Sequence, residues 1–329
     1  MSHFVQIAPS GLKYEAAENQ NLLDSALAQK IVLPHACKHG ACGVCKTKKT
    51  SGEIRYTQEP APWALKDADK AAGMILTCIA EPLSDIHLEC LEATEAILPP
   101  PQQFRVRVAK KEQLAPQIVR LLVQLPATLD FKFLPGQFIQ FFAEDGKPRA
   151  FSIAGVENGL LELHIRRVSN EGFTEYVFST LKEKDVLNAV GPKGTFFVRE
   201  GDNPLIFLAG GTGFAPIKAI LTDLSKTQSL REVFFYWGAR TKADLYLNDW
   251  VEMLAKEYSK LHYVPALSEE SWAGRTGLVP DVLLNDFKES PAMQSATVYA
   301  CGTPAMVVAA KELLFKAGLS ATNFFSDAF

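Results

Sequence analysis

His35–Cys45 reads HACKHGACGVC and places Cys37, Cys42 and Cys45 in one short loop of a chain with only six cysteines. Thiols crowded this way belong either to a disulfide framework or to a metal. The start MSHFVQIAPSG carries no basic region followed by a long apolar one, so no secretion signal places the chain in an oxidising compartment, and clustering favours metal. Gly40 and Gly43 lie between the thiols, where glycine permits the backbone angles of a tightly wrapped loop and lets N–H groups approach sulfur. A fourth thiol, Cys78, stands far downstream in MILTCIAEPLSD. Zinc also takes four thiolates, but its structural sites more often show two short C-x2-C pairs. Three ligands on one loop with the fourth alone suit a 2Fe-2S centre held by Cys37, Cys42, Cys45 and Cys78. His35 and His39 then read as loop residues and Cys90 as core.

The chain has 329 residues, enough for two or three domains of about 100 to 150 residues each. Hydrophobic residues make up 47% and charged ones 22%, with a net charge of -3, which excludes the basic excess of a nucleic-acid binder and the polarity of a disordered chain. No run approaches the roughly 18 apolar residues of a membrane span, so a soluble cytoplasmic protein is expected.

NLLDSALAQKI repeats apolar residues at helical spacing. EAILPPPQQ, with three consecutive prolines, reads as a stiff linker. Short β-type runs separated by turns follow, among them FRVRVAKK, IVRLLVQL, PGQFIQFFA, RAFSIAG and LLELHIRRV, a spacing that predicts a small antiparallel barrel. From Pro204 the pattern becomes strand, small-residue turn, helix, as in PLIFLAGGTGFAPIKAILTDL. Strands alternating with helices predict a parallel sheet with a site at the strand ends.

Residues 1–95 resemble a plant-type ferredoxin. RAFSIAG, Arg149–Gly155, resembles the Arg-x-[Phe/Tyr]-Ser segment of ferredoxin-NADP reductase-type flavoproteins. The resemblance gives each residue a role with a chemical reason. Arg149 offers a fork to the FAD pyrophosphate, Phe151 a ring against the isoalloxazine, and Ser152 a hydroxyl to flavin N5, with Ala150 among them on the same run. His164, Ile165 and Arg166 in HIRRV hold the flavin chain, while Arg167 reads as a charged strand edge. Gly172, Phe173 and Thr174 open a helix whose N-terminus suits an anion. The same family carries Gly-Gly-Thr-Gly at its nicotinamide site. Here Gly210, Gly211 and Gly213 remove side chains where a flat ring must approach and Thr212 supplies a hydroxyl. Cys301 and Gly302 match the family cysteine near the nicotinamide, and Phe329 matches an aromatic that stacks on the flavin. Glu269 and Glu270 stand where a positive charge would receive a 2'-phosphate, so NADH is expected over NADPH.

The resemblance therefore implies a multidomain α+β and α/β chain. A β-grasp plant-type 2Fe-2S ferredoxin domain occupies 1–95, a Pro-rich linker 96–103, an FAD-binding antiparallel β-barrel 104–200, and an NAD-binding α/β domain with a parallel sheet 201–329. Two groups share that order: reductase components of bacterial multicomponent oxygenases, such as those for phenol and naphthalene, and the CDP-6-deoxy-hexulose dehydrase reductases. GFAPIKAIL, YWGAR, YACGTPAM and FFSDAF look closest to the second. NADH gives up electrons in pairs and a 2Fe-2S cluster accepts one, so FAD is expected between them, with Ser152, Cys301 and Phe329 at the reaction centre. The cluster would pass electrons to a partner protein, an oxygenase component or a dehydrase, docking at Lys38, Lys46, Lys48 and Lys49. A module that senses redox state through the same groups without delivering electrons is the competing reading.

Overall fold

The computed structural model describes residues 2–35, 37–41, 43–142, 148–168 and 172–328, apart from the side chain of Ala292. Cys42 and Phe329 lie outside the described residues. The chain divides into two compact units, residues 1–99 with 193–195, and residues 100–192 with 196–329.

In the first unit a five-stranded mixed sheet runs in the order Lys13–Ala17, Ser2–Ala8, Ile86–Glu89, Lys46–Ser51, Met74–Leu76. Alternation decides its faces: in Ser2–Ala8, Val5 and Ile7 are buried while their neighbours are not. The helix Leu22–Ala28 packs on that buried face through Leu22, Leu23 and Ala26. Its start is set by Asn21, whose side chain accepts from the Asp24 N–H at 2.8 Å.

The second unit holds a closed six-stranded barrel and a six-stranded sheet. Around the barrel the order is Gln102–Ala115, Ile118–Gln124, Leu160–Arg166, Pro148–Glu157, Phe138–Phe142, Val186–Lys193, with antiparallel pairings. Its interior is filled by Val106, Leu121, Ile139, Phe141, Ile153, Leu163 and Ile165. The second sheet is wholly parallel, in the order Arg275–Thr276, Leu261–Leu267, Val233–Ala239, Leu205–Gly210, Thr297–Gly302, Phe324–Ala328. Helix Phe214–Lys226 covers one face and helices Val279–Glu289 and Pro304–Lys316 the other. Burial on both faces explains why LIFLAG is a continuous apolar run rather than an alternating one. From Leu205–Gly210 the chain winds outward to one edge, then returns to place Thr297–Gly302 on the other side. This reversal of strand order opens a crevice at the carboxyl ends of those two strands. The β-barrel, parallel sheet and ferredoxin-like first unit are the architecture expected from the sequence. Among the described residues no helix is long and apolar enough to cross a membrane.

Candidate functional site

Cys45 and Cys78 are buried, with their sulfurs 3.1 Å apart. Cys37 is partly exposed and accepts from the His39 N–H at 3.5 Å. The Cys45 thiol, together with the Gly40 N–H, lowers the Cys78 pKa against the opposing effect of burial. Gly40 and Gly43 have φ of +72° and +76°, and a Cβ at Gly40 would lie 2.7 Å from the Ile79 side chain. Only glycine suits that turn. The loop carbonyls are tied outward: Ala41 accepts from the Trp63 indole at 2.8 Å and His39 from Gln58 at 2.7 Å. Trp63 is itself 72% exposed. His35 Nδ1 lies 2.8 Å from the Leu33 carbonyl and His39 Nδ1 2.8 Å from that of Cys37, so these nitrogens face backbone rather than sulfur. Cys90 is buried in the core of the first unit, its thiol pushed up to about 11 by burial and then by Glu92. Among the described residues no three His, Cys, Asp or Glu side chains meet as a metal group, Cys42 being outside that set. Thiols supplied with backbone N–H donors fit an iron–sulfur cluster.

The four lysines near this loop are all engaged. Lys38 pairs with Asp24 at 3.1 Å, Lys46 with Asp69 at 2.6 Å and Lys48 with Glu89 at 2.9 Å, while Lys49 donates to the Gly52 carbonyl.

In the second unit a cavity of about 450 Å³ is walled by Arg149, Ala150, Phe151 and Ser152 on one barrel strand and by His164 and Arg166 on its neighbour. Thr174, in the first turn of helix Gly172–Ser179, lines it too, as do Gly210 and Thr212. Residues from two separate sequence motifs thus face one space. Phe151 is held by Phe173, 5.5 Å between ring centroids, and both rest on Phe141. Ile165 lies in the barrel interior and does not reach the cavity. Gly172 takes φ of +76° at the helix start. Arg167 lines the cavity as well, its Nε 2.7 Å from Glu175, and it lies just past the end of strand Leu160–Arg166 rather than on an exposed strand edge. Arginines, an aromatic ring, a hydroxyl and a helix N-terminus around one cavity fit FAD.

A second cavity of about 340 Å³ shares Arg166 and Gly210 with the first and runs across the strand ends past Gly211, Gly238, Arg240, Asp244 and Ser268. A Cβ on Gly213 would fall 2.0 Å from the Cys301 carbonyl, so the turn after Leu205–Gly210 can close on the end of Thr297–Gly302 only with glycine there. Gly302 has φ of +155°, and its Cβ would lie 3.1 Å from the Gly210 N. Cys301 is fully buried behind this junction and lines neither cavity; burial, then Asp327 beside it in register, pushes its thiol well up. Glu269 also lines neither. Its N–H donates to the Arg240 carbonyl, and Glu270 accepts from the Lys242 N–H. Asp244 faces the second cavity instead, fixed by the N–H and hydroxyl of Thr241, each at 3.1 Å. Its signal was present in the sequence as the Thr-x-x-Asp capping box of TKAD.

Sequence reasoning missed a buried polar group behind the first cavity. Glu162, 1% exposed, lies 2.8 Å from His164 Nε2 and 2.7 Å from Lys218 Nζ. His164 Nδ1 in turn lies 2.9 Å from the Tyr246 hydroxyl. Burial alone would raise the Glu162 pKa, but His164 and Lys218 bring it down to about 2. Burial lowers that of His164, with Glu162 opposing.

Three families match in succession: "2Fe-2S iron-sulfur cluster binding domain" over residues 5–83, "Oxidoreductase FAD-binding domain" over 105–198 and "Oxidoreductase NAD-binding domain" over 207–312. The chain is 37% identical to a CDP-6-deoxy-L-threo-D-glycero-4-hexulose-3-dehydrase reductase of Yersinia pestis, covering 100% of this chain and 99% of that one. It is 35% identical to a phenol hydroxylase P5 protein of Acinetobacter pittii, covering 100% and 95%. Among solved structures, a cytochrome P450 reductase from Amycolatopsis superposes with a TM-score of 0.76 at 28% identity, covering 99% of this chain and 98% of the other.

Proposed function

The chain belongs to the family of iron–sulfur flavoprotein reductases in which a 2Fe-2S domain precedes FAD-binding and NAD-binding domains, and on that premise we propose which of its residues carry the reaction and where its acceptor docks. The protein is an NADH-dependent oxidoreductase that delivers electrons to a partner protein. Bound FAD supplies the exchange between the paired electrons of NADH and the single electrons a 2Fe-2S cluster takes.

Arg149 and the N-terminus of helix Gly172–Ser179 hold the pyrophosphate, Phe151 supports the flavin ring, and Ser152 donates a hydrogen bond at its reactive edge. Gly210, Gly211 and Thr212 receive the nicotinamide, Gly213 lets their turn close on the end of Thr297–Gly302, and the dinucleotide extends along the second cavity toward Asp244. Cys37, Cys42, Cys45 and Cys78 hold the cluster. One observation carries this reading: the strand of Arg149–Ser152 and, from the glycine turn, Gly210 and Thr212 wall the same cavity, so groups held by each must meet there. The acceptor is an oxygenase component or a CDP-sugar dehydrase, docking on the cluster side of the first unit near Lys38, Lys46, Lys48 and Lys49. Pairing with Asp24, Asp69 and Glu89 leaves that face little net charge, so delivery slows only modestly as salt rises.

The test is a Cys45→Ser variant assayed anaerobically with NADH. Ferricyanide reduction should persist at the wild-type rate while transfer to a one-electron protein acceptor such as cytochrome c is lost. Retention of both activities would remove the cluster from the path.

A further inference from the structure

Glu162, His164 and Lys218 are an unusual set to find inside a protein, because a buried charge is retained only where every partner is in place. Glu162 and His164 belong to the barrel strand Leu160–Arg166, Lys218 to the helix Phe214–Lys226 and Tyr246 to the loop before helix Asn248–Glu257. One carboxylate on the barrel therefore grips two elements of the parallel-sheet half, the helix directly and the loop through His164. An ionised carboxylate can only accept, so Nε2 of His164 carries the proton and donates to Glu162; Nδ1 is then left to accept from the Tyr246 hydroxyl. The lowered His164 pKa agrees with a neutral ring.

Gly155, at a bulge in the neighbouring strand, has φ of +152°, and a Cβ there would lie 3.6 Å from Lys218 Nζ and 3.7 Å from Glu162 Oε2. Lys218, 8% exposed, also lies 5.0 Å from the Trp250 ring. From the grip a chain of contacts leads to the nicotinamide turn: Tyr246 meets Trp237 edge-on at 5.3 Å, Phe214 stacks on Trp237 at 4.1 Å, and the Trp237 indole donates to the Gly211 carbonyl at 3.1 Å.

We propose that Glu162 is a positioning residue: through Lys218 and through His164–Tyr246 it clasps the Gly-Gly-Thr-Gly turn against the flavin strand, fixing how the nicotinamide lies over the flavin. This rests on the assignment of FAD and NADH to the first cavity. Glu162 touches neither group, and its effect is on geometry rather than on affinity.

The test compares the FAD-loaded full chain with Glu162→Gln, Tyr246→Phe and the double variant Glu162→Gln/Lys218→Met. Four readouts are taken anaerobically: FAD per chain, NADH affinity, the limiting rate of flavin reduction, and amide exchange of residues 211–218. Glu162→Gln should keep FAD and NADH affinity while the limiting rate falls roughly 10- to 100-fold, the cost of a misplacement of about 1 Å, and residues 211–218 lose protection. Weakening of the long-wavelength charge-transfer absorbance between nicotinamide and flavin should accompany it. Tyr246→Phe, which removes one hydroxyl, should shift rate and exchange the same way by less. The double variant should recover part of the protection lost in Glu162→Gln, because no lone buried charge remains. Wild-type rates and exchange in both Glu162→Gln and Tyr246→Phe overturn the proposal, as does a rate loss that merely follows loss of FAD. If Glu162→Gln does not accumulate, Tyr246→Phe decides alone. A wild-type chain that NADH fails to reduce would instead sink the functional reading, leaving the exchange data to judge the clasp.

Discussion

Asp244 shows what a single side chain can settle. Its carboxylate faces the second cavity and would repel a 2'-phosphate while accepting from ribose hydroxyls. Asp244→Asn keeps an acceptor for Thr241 and removes only the charge. The preference for NADH over NADPH, measured as the ratio of kcat/KM values, should fall by roughly five-fold, matching about 1 kcal/mol for one charge acting through solvent; an unchanged ratio would place the discrimination elsewhere. Arg149, Phe151 and Ser152 line the first cavity together, and their closeness in sequence makes them stand out as one local pattern. Glu162, Lys218 and Tyr246 do not, since Lys218 meets Glu162 across 56 positions and Tyr246 meets His164 across 82. Charges distant in sequence carry no mark that folding will bury them together.

At the scale of elements, burial governs legibility. Leu205–Gly210 and Thr297–Gly302, buried along their length, announced themselves as apolar runs, whereas the helix Asp67–Ala71 has no buried residue and so no periodicity to read. Strand Leu160–Arg166 also carries a pH response. Burial lowers the His164 pKa below its ordinary 6.5, so the unfolded chain binds this proton more readily than the folded one. Its contribution to stability is present above pH 6.5 and is lost as pH falls below it. With His164→Asn that loss is absent. The gap in thermal midpoint between wild type and variant, followed by circular dichroism, should narrow from pH 7.5 to 5.5, at up to about 1.4 kcal/mol per pH unit below 6.5. A gap constant with pH would mean that the imidazole titrates normally despite its burial.

For the molecule as a whole, separate cores make separable stabilities. The first unit is packed around Val5, Leu22, Leu76 and Ile86, and the two halves of the second around their own clusters. Domain order was legible because each region has its own period, strand-turn in the barrel and strand-helix in the parallel sheet. Stripping the iron with a chelator should lower the melting transition of the first unit, whose loop loses its ligand-held closure, and leave that of the flavin-binding unit in place. Movement of both together would show that the units unfold as one.

Trp63 makes the metal's departure visible. Its exposed indole is pinned to the Ala41 carbonyl inside the cysteine loop, while the other three tryptophans, Trp237, Trp250 and Trp272, belong to the second unit. A coloured inorganic centre beside that indole drains its emission. Chelation should therefore brighten the protein's ultraviolet fluorescence, and Trp63→Phe should diminish the brightening, giving the cluster a native optical gauge that needs no added dye.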